Sequence, residues 1–111
     1  MSYELKKSSN DKFMFNLKAA NHEIILTSEL YEQKASALNG IDSVRRHSPD
    51  DSNFEMRTTV SGQPYFVLKA SNGQIIGKSE YYSSEAAAKN GIESVKKNGG
   101  SEVIKDLTLA S

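Results

Sequence analysis

Shifting the chain by 51 positions aligns residues 3–48 with residues 54–99 without a gap, and 18 of the 46 aligned positions are identical. The shared positions include Phe15 with Phe66, Leu17 with Leu68, Lys18 with Lys69, Ala19 with Ala70, and Ile24-Ile25 with Ile75-Ile76. Further on, Ser28, Glu29 and Tyr31 match Ser79, Glu80 and Tyr82, and Asn39-Gly40-Ile41 matches Asn90-Gly91-Ile92. The chain is therefore two copies of one unit. A unit this small buries too little apolar surface to be stable alone. Residues 1–111 are thus expected to form one domain, with repeat one (3–48) and repeat two (54–99) sharing a core as a pseudo-dimer.

Each unit reads as three strands followed by a helix. In the second copy, Phe54 to Val60 is rich in strand formers, Ser61-Gly62-Gln63 supplies a turn, and Tyr65 to Ala70 returns antiparallel. Asn72-Gly73 predicts a two-residue type I′ hairpin into Gln74 to Ser79, with positive φ at both central positions. The first copy has His22 where Gly73 stands, so a strained turn is expected there.

Ser83 or Ser84 can cap the second helix, and Glu85 in its first turn suits the helix dipole. The first copy offers Glu32 and Gln33 at those positions. Ala37, Gly40, Ile41 and Val44, and their counterparts Ala88, Gly91, Ile92 and Val95, recur at helical spacing and form one apolar stripe per helix. Glycine inside a helix costs roughly 1 kcal/mol against alanine, so Gly40 and Gly91 predict a close approach of helix to sheet. Ser48-Pro49 ends the first helix and Gly99-Gly100 the second. A last strand is expected at about residues 102–108, with Val103, Leu107 and Leu109 at alternate positions.

Strand alternation puts Phe15, Leu17, Ala19, Phe66, Leu68 and Ala70 under the helices. Met14, Asn16, Lys18, Tyr65, Val67 and Lys69 then share the opposite face, which is more apolar than a purely solvated surface requires. These six side chains are expected to be at least partly exposed, and they form the candidate binding site.

Several chemistries lose their usual residues. There are 14 basic and 14 acidic residues and no cysteine. No net field draws the chain to nucleic acid or anionic lipid, and disulfides and thiolate chemistry are absent. The two histidines, His22 and His47, lie on a turn and a helix end, so no metal site or cofactor is expected. No glycine-rich phosphate loop and no strand-turn-helix serine elbow occurs. Charges scattered through the first seventeen residues break up any signal-peptide apolar run, and a cytoplasmic protein with no membrane partner is expected.

The segments Lys69-Ala70-Ser71-Asn72-Gly73, Ser83-Ser84-Glu85-Ala86 and Asn90-Gly91-Ile92-Glu93-Ser94-Val95-Lys96-Lys97, with the ending Val103 to Thr108, resemble the YegP-like family of small bacterial proteins. The resemblance covers nearly the whole chain. It implies a β3-α-β unit whose C-terminal strand is exchanged between units, and it implies no activity and no catalytic or ligand residues. The expected fold is therefore α+β: two tandem β3-α-β repeats forming a pseudo-dimer, with one shared antiparallel sheet and two helices on one face.

No pattern in the chain assigns a function. The reading most consistent with it is a monomeric, non-enzymatic binding or interaction module that offers the open sheet face or an edge strand to a protein or peptide. The alternative is nucleic-acid binding through the same face, where Tyr65 with Lys69, and Tyr81 and Tyr82 with Lys78, could stack on bases beside phosphates. The third is a small enzyme using Glu29, Tyr31, Glu80 and Tyr82 as acids or bases. The amides of Asn39 and Asn90 could also be held out for a ligand or tie each helix to a neighbouring backbone group.

Overall fold

The computed structural model describes residues 1–109 and contains seven strands and two helices. Unit one comprises β1 (Ser2–Lys7), β2 (Phe13–Lys18), β3 (Ile24–Ser28) and α1 (Lys34–His47). Unit two repeats it with β4 (Phe54–Thr58), β5 (Pro64–Lys69), β6 (Ile75–Lys78) and α2 (Glu85–Asn98), followed by β7 (Ile104–Asp106). All strands join one sheet in the order β4-β5-β6-β3-β2-β1-β7, and the helices pack over its central strands, each reaching strands of both units. The units meet where β3 and β6 pair antiparallel through Thr27 with Lys78 and Ser28 with Gly77. Thr27 and Lys78 are equivalent residues, so a pseudo-twofold axis passes between them.

The sheet is mixed rather than wholly antiparallel, because β7 runs parallel to β1. The last strand leaves unit two and completes unit one, which is the exchange the resemblance implied. It is shorter than expected. Residues 107–109 form a 3-10 turn, in which the Asp106 carboxylate accepts from the Thr108 N–H (2.9 Å) and hydroxyl (2.5 Å). The face is also the other one: Ile104, paired with Tyr3, packs on the core, whereas Val103, Leu107 and Leu109 are exposed.

The helical stripe of α1 is buried throughout, and so are Ala88, Gly91 and Val95 of α2. Below Gly40, Tyr31 stacks on Phe15, and an added Cβ would lie 2.6 Å from the tyrosine oxygen and 2.9 Å from the Phe15 ring. Tyr82 and Phe66 repeat this beneath Gly91. Lost helix propensity is offset by burying an aromatic pair under the helix in each unit. Ser28 and Ser79 are equally structural. Their hydroxyls accept from the Phe15 N–H (2.8 Å) and the Phe66 N–H (2.9 Å), standing in for a strand carbonyl.

Helix ends differ between the copies. Ser84 caps α2 by accepting from the Ala87 N–H, while Gln33 caps α1 without a side-chain bond. Gly99 is not a left-handed cap, since its φ is −63°. It is glycine because a Cβ there would fall onto Ser48, its own equivalent in unit one. A twofold axis cannot accept the same side chain twice where the copies touch, and the pair is resolved as one serine and one glycine.

Hairpin turns also depart from expectation. The loop before β6 contains three residues, closed by Gly73 N–H to Ala70 C=O (2.9 Å), and of Asn72 and Gly73 only Gly73 has positive φ. This is a type I turn followed by a left-handed residue, not a type I′ turn. All four β-hairpins end this way, on Asp11 (φ 62°), His22 (68°), Gly62 (88°) and Gly73 (82°). A non-glycine left-handed residue carries on the order of 1 kcal/mol of strain or more, against roughly 0.5–1 kcal/mol for glycine's extra backbone entropy. His22→Gly is therefore expected to be neutral to stabilising by up to about 1 kcal/mol in urea unfolding. A loss of stability would mean that His22 makes a compensating contact.

Candidate functional site

The outer sheet face carries a residue row running Lys105, Glu4, Asn16, Thr27, Lys78, Val67, Glu55 from one edge to the other. Of the six residues expected on this face, Met14, Lys18, Tyr65 and Lys69 are partly exposed, whereas Asn16 and Val67 are buried at 4% and 1% exposure. Asn16 donates to the Thr27 hydroxyl at 3.0 Å. Val67 lies between Glu55 and Lys78 across the sheet and between Tyr65 and Lys69 along its strand, and long side chains cover it with their stems. Alternation located the face correctly but could not show this covering.

The two lysines of the set are held in ion pairs. Glu4 accepts Lys18 at 3.1 Å and Lys6 at 3.6 Å, and its equivalent Glu55 accepts Arg57 at 2.5 Å and Lys69 at 3.0 Å. Burial pushes the Glu4 carboxyl up, but Lys18 and Lys6 more than reverse this and leave it below the usual carboxylate range. Arg57 and Lys69 hold Glu55 low in the same way. At the seam, a hollow of about 390 Å³ is lined by Thr27, Glu29, Lys78, Glu80 and Tyr81. Beside it the Lys78 ammonium sits 5.4 Å from the Tyr65 ring and 5.2 Å from the Tyr81 ring. Tyr81 and Lys78 were legible as a cation beside aromatics; Thr27 carried no signal.

Glu29 and Glu80 are exposed, while Tyr31 and Tyr82 turn inward beneath the helix glycines. Burial, with Glu29 and Glu80 adding to it, raises both phenols above the ordinary tyrosine value, so each is a neutral packing group at neutral pH. His22 is exposed on its turn. His47 donates from Nδ1 to the Ser43 carbonyl (2.7 Å) and accepts the Ser71 N–H at Nε2 (3.3 Å), bracing α1 against the β5–β6 turn. Among the described residues, no cluster of three or more His, Asp or Glu could hold a metal ion, and no helix is long and apolar enough to cross a membrane. Asn39 and Asn90 are both solvent-exposed.

The sheet edges are not equivalent. β7 covers β1, where the Tyr3 N–H donates to the Val103 carbonyl (2.9 Å) and the Lys34 ammonium meets Asp106 at 2.5 Å. The counterpart strand, β4, is the other end of the sheet and, among the described residues, has no neighbour on its outer side. Phe66 turns its N–H and C=O toward β6, as its bonds to Ser79 show. Tyr65 and Val67 therefore face β4, pairing with Arg57 and Glu55, and the backbone groups of Met56 and Thr58 point outward. Side-chain burial follows: Tyr3, Leu5 and Ile41 are fully buried, but Phe54, Met56 and Ile92 are only partly so. Between β4 and α2 lies a hollow of about 340 Å³ lined by Phe54, Met56, Ile92, Asn90, Lys89 and Asp51. The Leu5 amide should accordingly exchange with deuterium far more slowly than the Met56 amide under native conditions, and equal protection would mean that β4 is covered.

The family model described as a domain of unknown function (DUF1508) matches the chain twice, over residues 8–55 and 60–106. A UPF0339 protein YegP from Yersinia pestis is 62% identical over 107 residues, covering 96% of each chain. The solution NMR structure of YegP from E. coli, itself described as a protein of unknown function, superposes with a TM-score of 0.92 at 50% identity, covering 98% of this chain and 94% of that one. That of a UPF0339 protein from Shewanella oneidensis gives 0.89 at 56% identity, over 95% of this chain and 89% of that one. With both repeats matched and full-length relatives of the same fold, the chain belongs to the DUF1508 family of YegP-like UPF0339 proteins.

Proposed function

We propose that this protein is a non-enzymatic interaction module that binds a protein or peptide partner along the uncovered β4 edge. The observation that carries this reading is the asymmetry of the sheet: two equivalent edges, one paired with β7 and one where, among the described residues, the outward backbone groups of Met56 and Thr58 meet no strand and only the Phe54 N–H is engaged, by the Asp51 carbonyl. An edge of that kind is a template for an added strand, with backbone hydrogen bonds giving affinity and alternate side-chain pockets giving specificity. The outer face is the weaker docking surface, because Lys18 and Lys69 are engaged by Glu4 and Glu55 and Val67 is covered. A second reading, nucleic-acid binding, draws on Tyr65 and Tyr81 around Lys78, though Glu29 and Glu80 stand close by and net charge is zero. The protein is expected to act as a monomer in the cytoplasm.

The test is recovery of partners from bacterial lysate on the immobilised wild type, on Met56→Lys and on Tyr65→Ala/Tyr81→Ala, with thermal unfolding as the fold control. Loss confined to Met56→Lys supports the edge, since an edge lysine blocks strand addition. Loss confined to the tyrosine variant, together with nuclease sensitivity and steep weakening by salt, replaces it with the nucleic-acid reading.

A further inference from the structure

We infer that the β4 edge takes an extended segment of a partner protein, running parallel to β4, with an aliphatic side chain and, two residues later, a basic one. This rests on the edge reading above and names the ligand chemistry. The protein itself supplies the template, because β7 on β1 is the filled copy of the same site. There Ile104 lies opposite Tyr3 and packs on the core, Lys105 lies beside Glu4, and Asp106 reaches Lys34 at the start of α1.

The shift of 51 residues carries each of these positions to the empty edge. Tyr3 becomes Phe54, Leu5 becomes Met56 and Glu4 becomes Glu55. The aliphatic side chain finds the hollow between Phe54, Met56 and Ile92, three apolar residues left half-buried where their equivalents are fully buried. The outward N–H and C=O of Met56 supply the backbone bonds that a parallel strand needs. On one side the Lys96 ammonium ties Asp51 (2.8 Å) to Glu93 (3.6 Å), which holds the linker before β4 against α2 and limits how far a ligand strand extends.

One contact reverses its charge. Lys34 becomes Glu85, the first residue of α2, so the ligand residue standing where Asp106 stands meets, instead of an ammonium, a carboxylate that is shared with Lys89 in an exposed pair at 3.5 Å. The segment that fits is therefore the β7 pattern with a basic residue in place of its aspartate. The same reversal disfavours the β7 sequence of a second copy there, while β7 itself is held on β1 by the short link from α2, whose Gly99 and Ser101 bond to Tyr3 and Arg45.

The experiment titrates the full-length protein, by NMR of its backbone amides, with two capped synthetic peptides spanning residues 101–109: one unchanged, one carrying Asp106→Lys. The expected result is shifts at Met56, Thr58, Lys89 and Ile92, with the Asp106→Lys peptide binding about threefold more tightly, as one surface ion pair allows. In the Glu85→Lys variant the preference should invert. If neither peptide moves the β4 amides, or the preference ignores Glu85→Lys, the ligand chemistry is overturned, even where Met56→Lys abolishes lysate recovery and the edge reading stands. Shifts at Tyr3 to Leu5 instead would mean that the peptides only displace β7. Light scattering at twice the chain mass, with β4 amides moving on dilution, would make a second copy the occupant and overturn the inference.

Discussion

Leu26→Gly should destabilise the fold by about 3 to 5 kcal/mol, Gly77→Leu by about 1 to 3 kcal/mol or more, and the two together by less than about 1.5 kcal/mol. The positions are equivalent in the two copies and lie diagonally across the pseudo-twofold axis, on the sheet face beneath the helices. Leu26 is fully buried, and a Cβ on Gly77 would lie 2.8 Å from Leu26 Cγ and 3.2 Å from the Thr27 carbonyl oxygen. One leucine fills the space on the axis; two would overlap and none would leave a cavity. Exchanging the residues moves the leucine to the symmetric position, where the same wall receives it. Chemical denaturation of the four proteins reads the coupling directly, and simple additivity would show that the two sites do not share one cavity.

Neither unit should fold alone, whereas an equimolar mixture should reassemble. A fragment of residues 1–51 loses β6 and β7, and with them the cover over Tyr3, Leu5, Leu17 and Leu26, all fully buried in the whole chain. Exposing that core removes most of what stabilises a unit too small to bury its own. Self-pairing does not rescue either half. Two copies of unit one would bring two Leu26 side chains to one axis, and two copies of unit two would bring two Gly77 residues there, with a void between them. The mixed pair restores one leucine against one glycine, and Ser48 against Gly99. Circular dichroism of each half should show no cooperative unfolding, and the mixture should recover a sigmoidal melt. A stable monomeric half would refute the shared core.

Much of the fold was legible because it is written in short periods. Alternation assigned Phe15, Leu17, Phe66 and Leu68 to the core, and helical spacing assigned Ala37, Gly40, Ile41 and Val44 to the buried stripe of α1. The same spacing named Ile92, which is only half-buried, because among the described residues no strand lies outside β4 to complete its surroundings. The candidate face was legible as a face. That Asn16 and Val67 are covered depends on which charged stems lie beside them, and that follows from strand register across the sheet.

By itself the sequence determined the duplication, the order of elements, the inward residues of each strand and helix, and the strained turn at His22. These are local properties, set by periods of two and 3.6 residues and by the φ preferences of single side chains. Only the tertiary structure decided that β7 pairs parallel with β1, that β4 is left bare, and that Gly77 and Gly99 are glycine to make room for Leu26 and Ser48. Those outcomes turn on residues about fifty to a hundred positions apart meeting around an axis. There, excluded volume forbids identical copies from presenting identical side chains, and the single exchanged strand can cover only one of two equivalent edges.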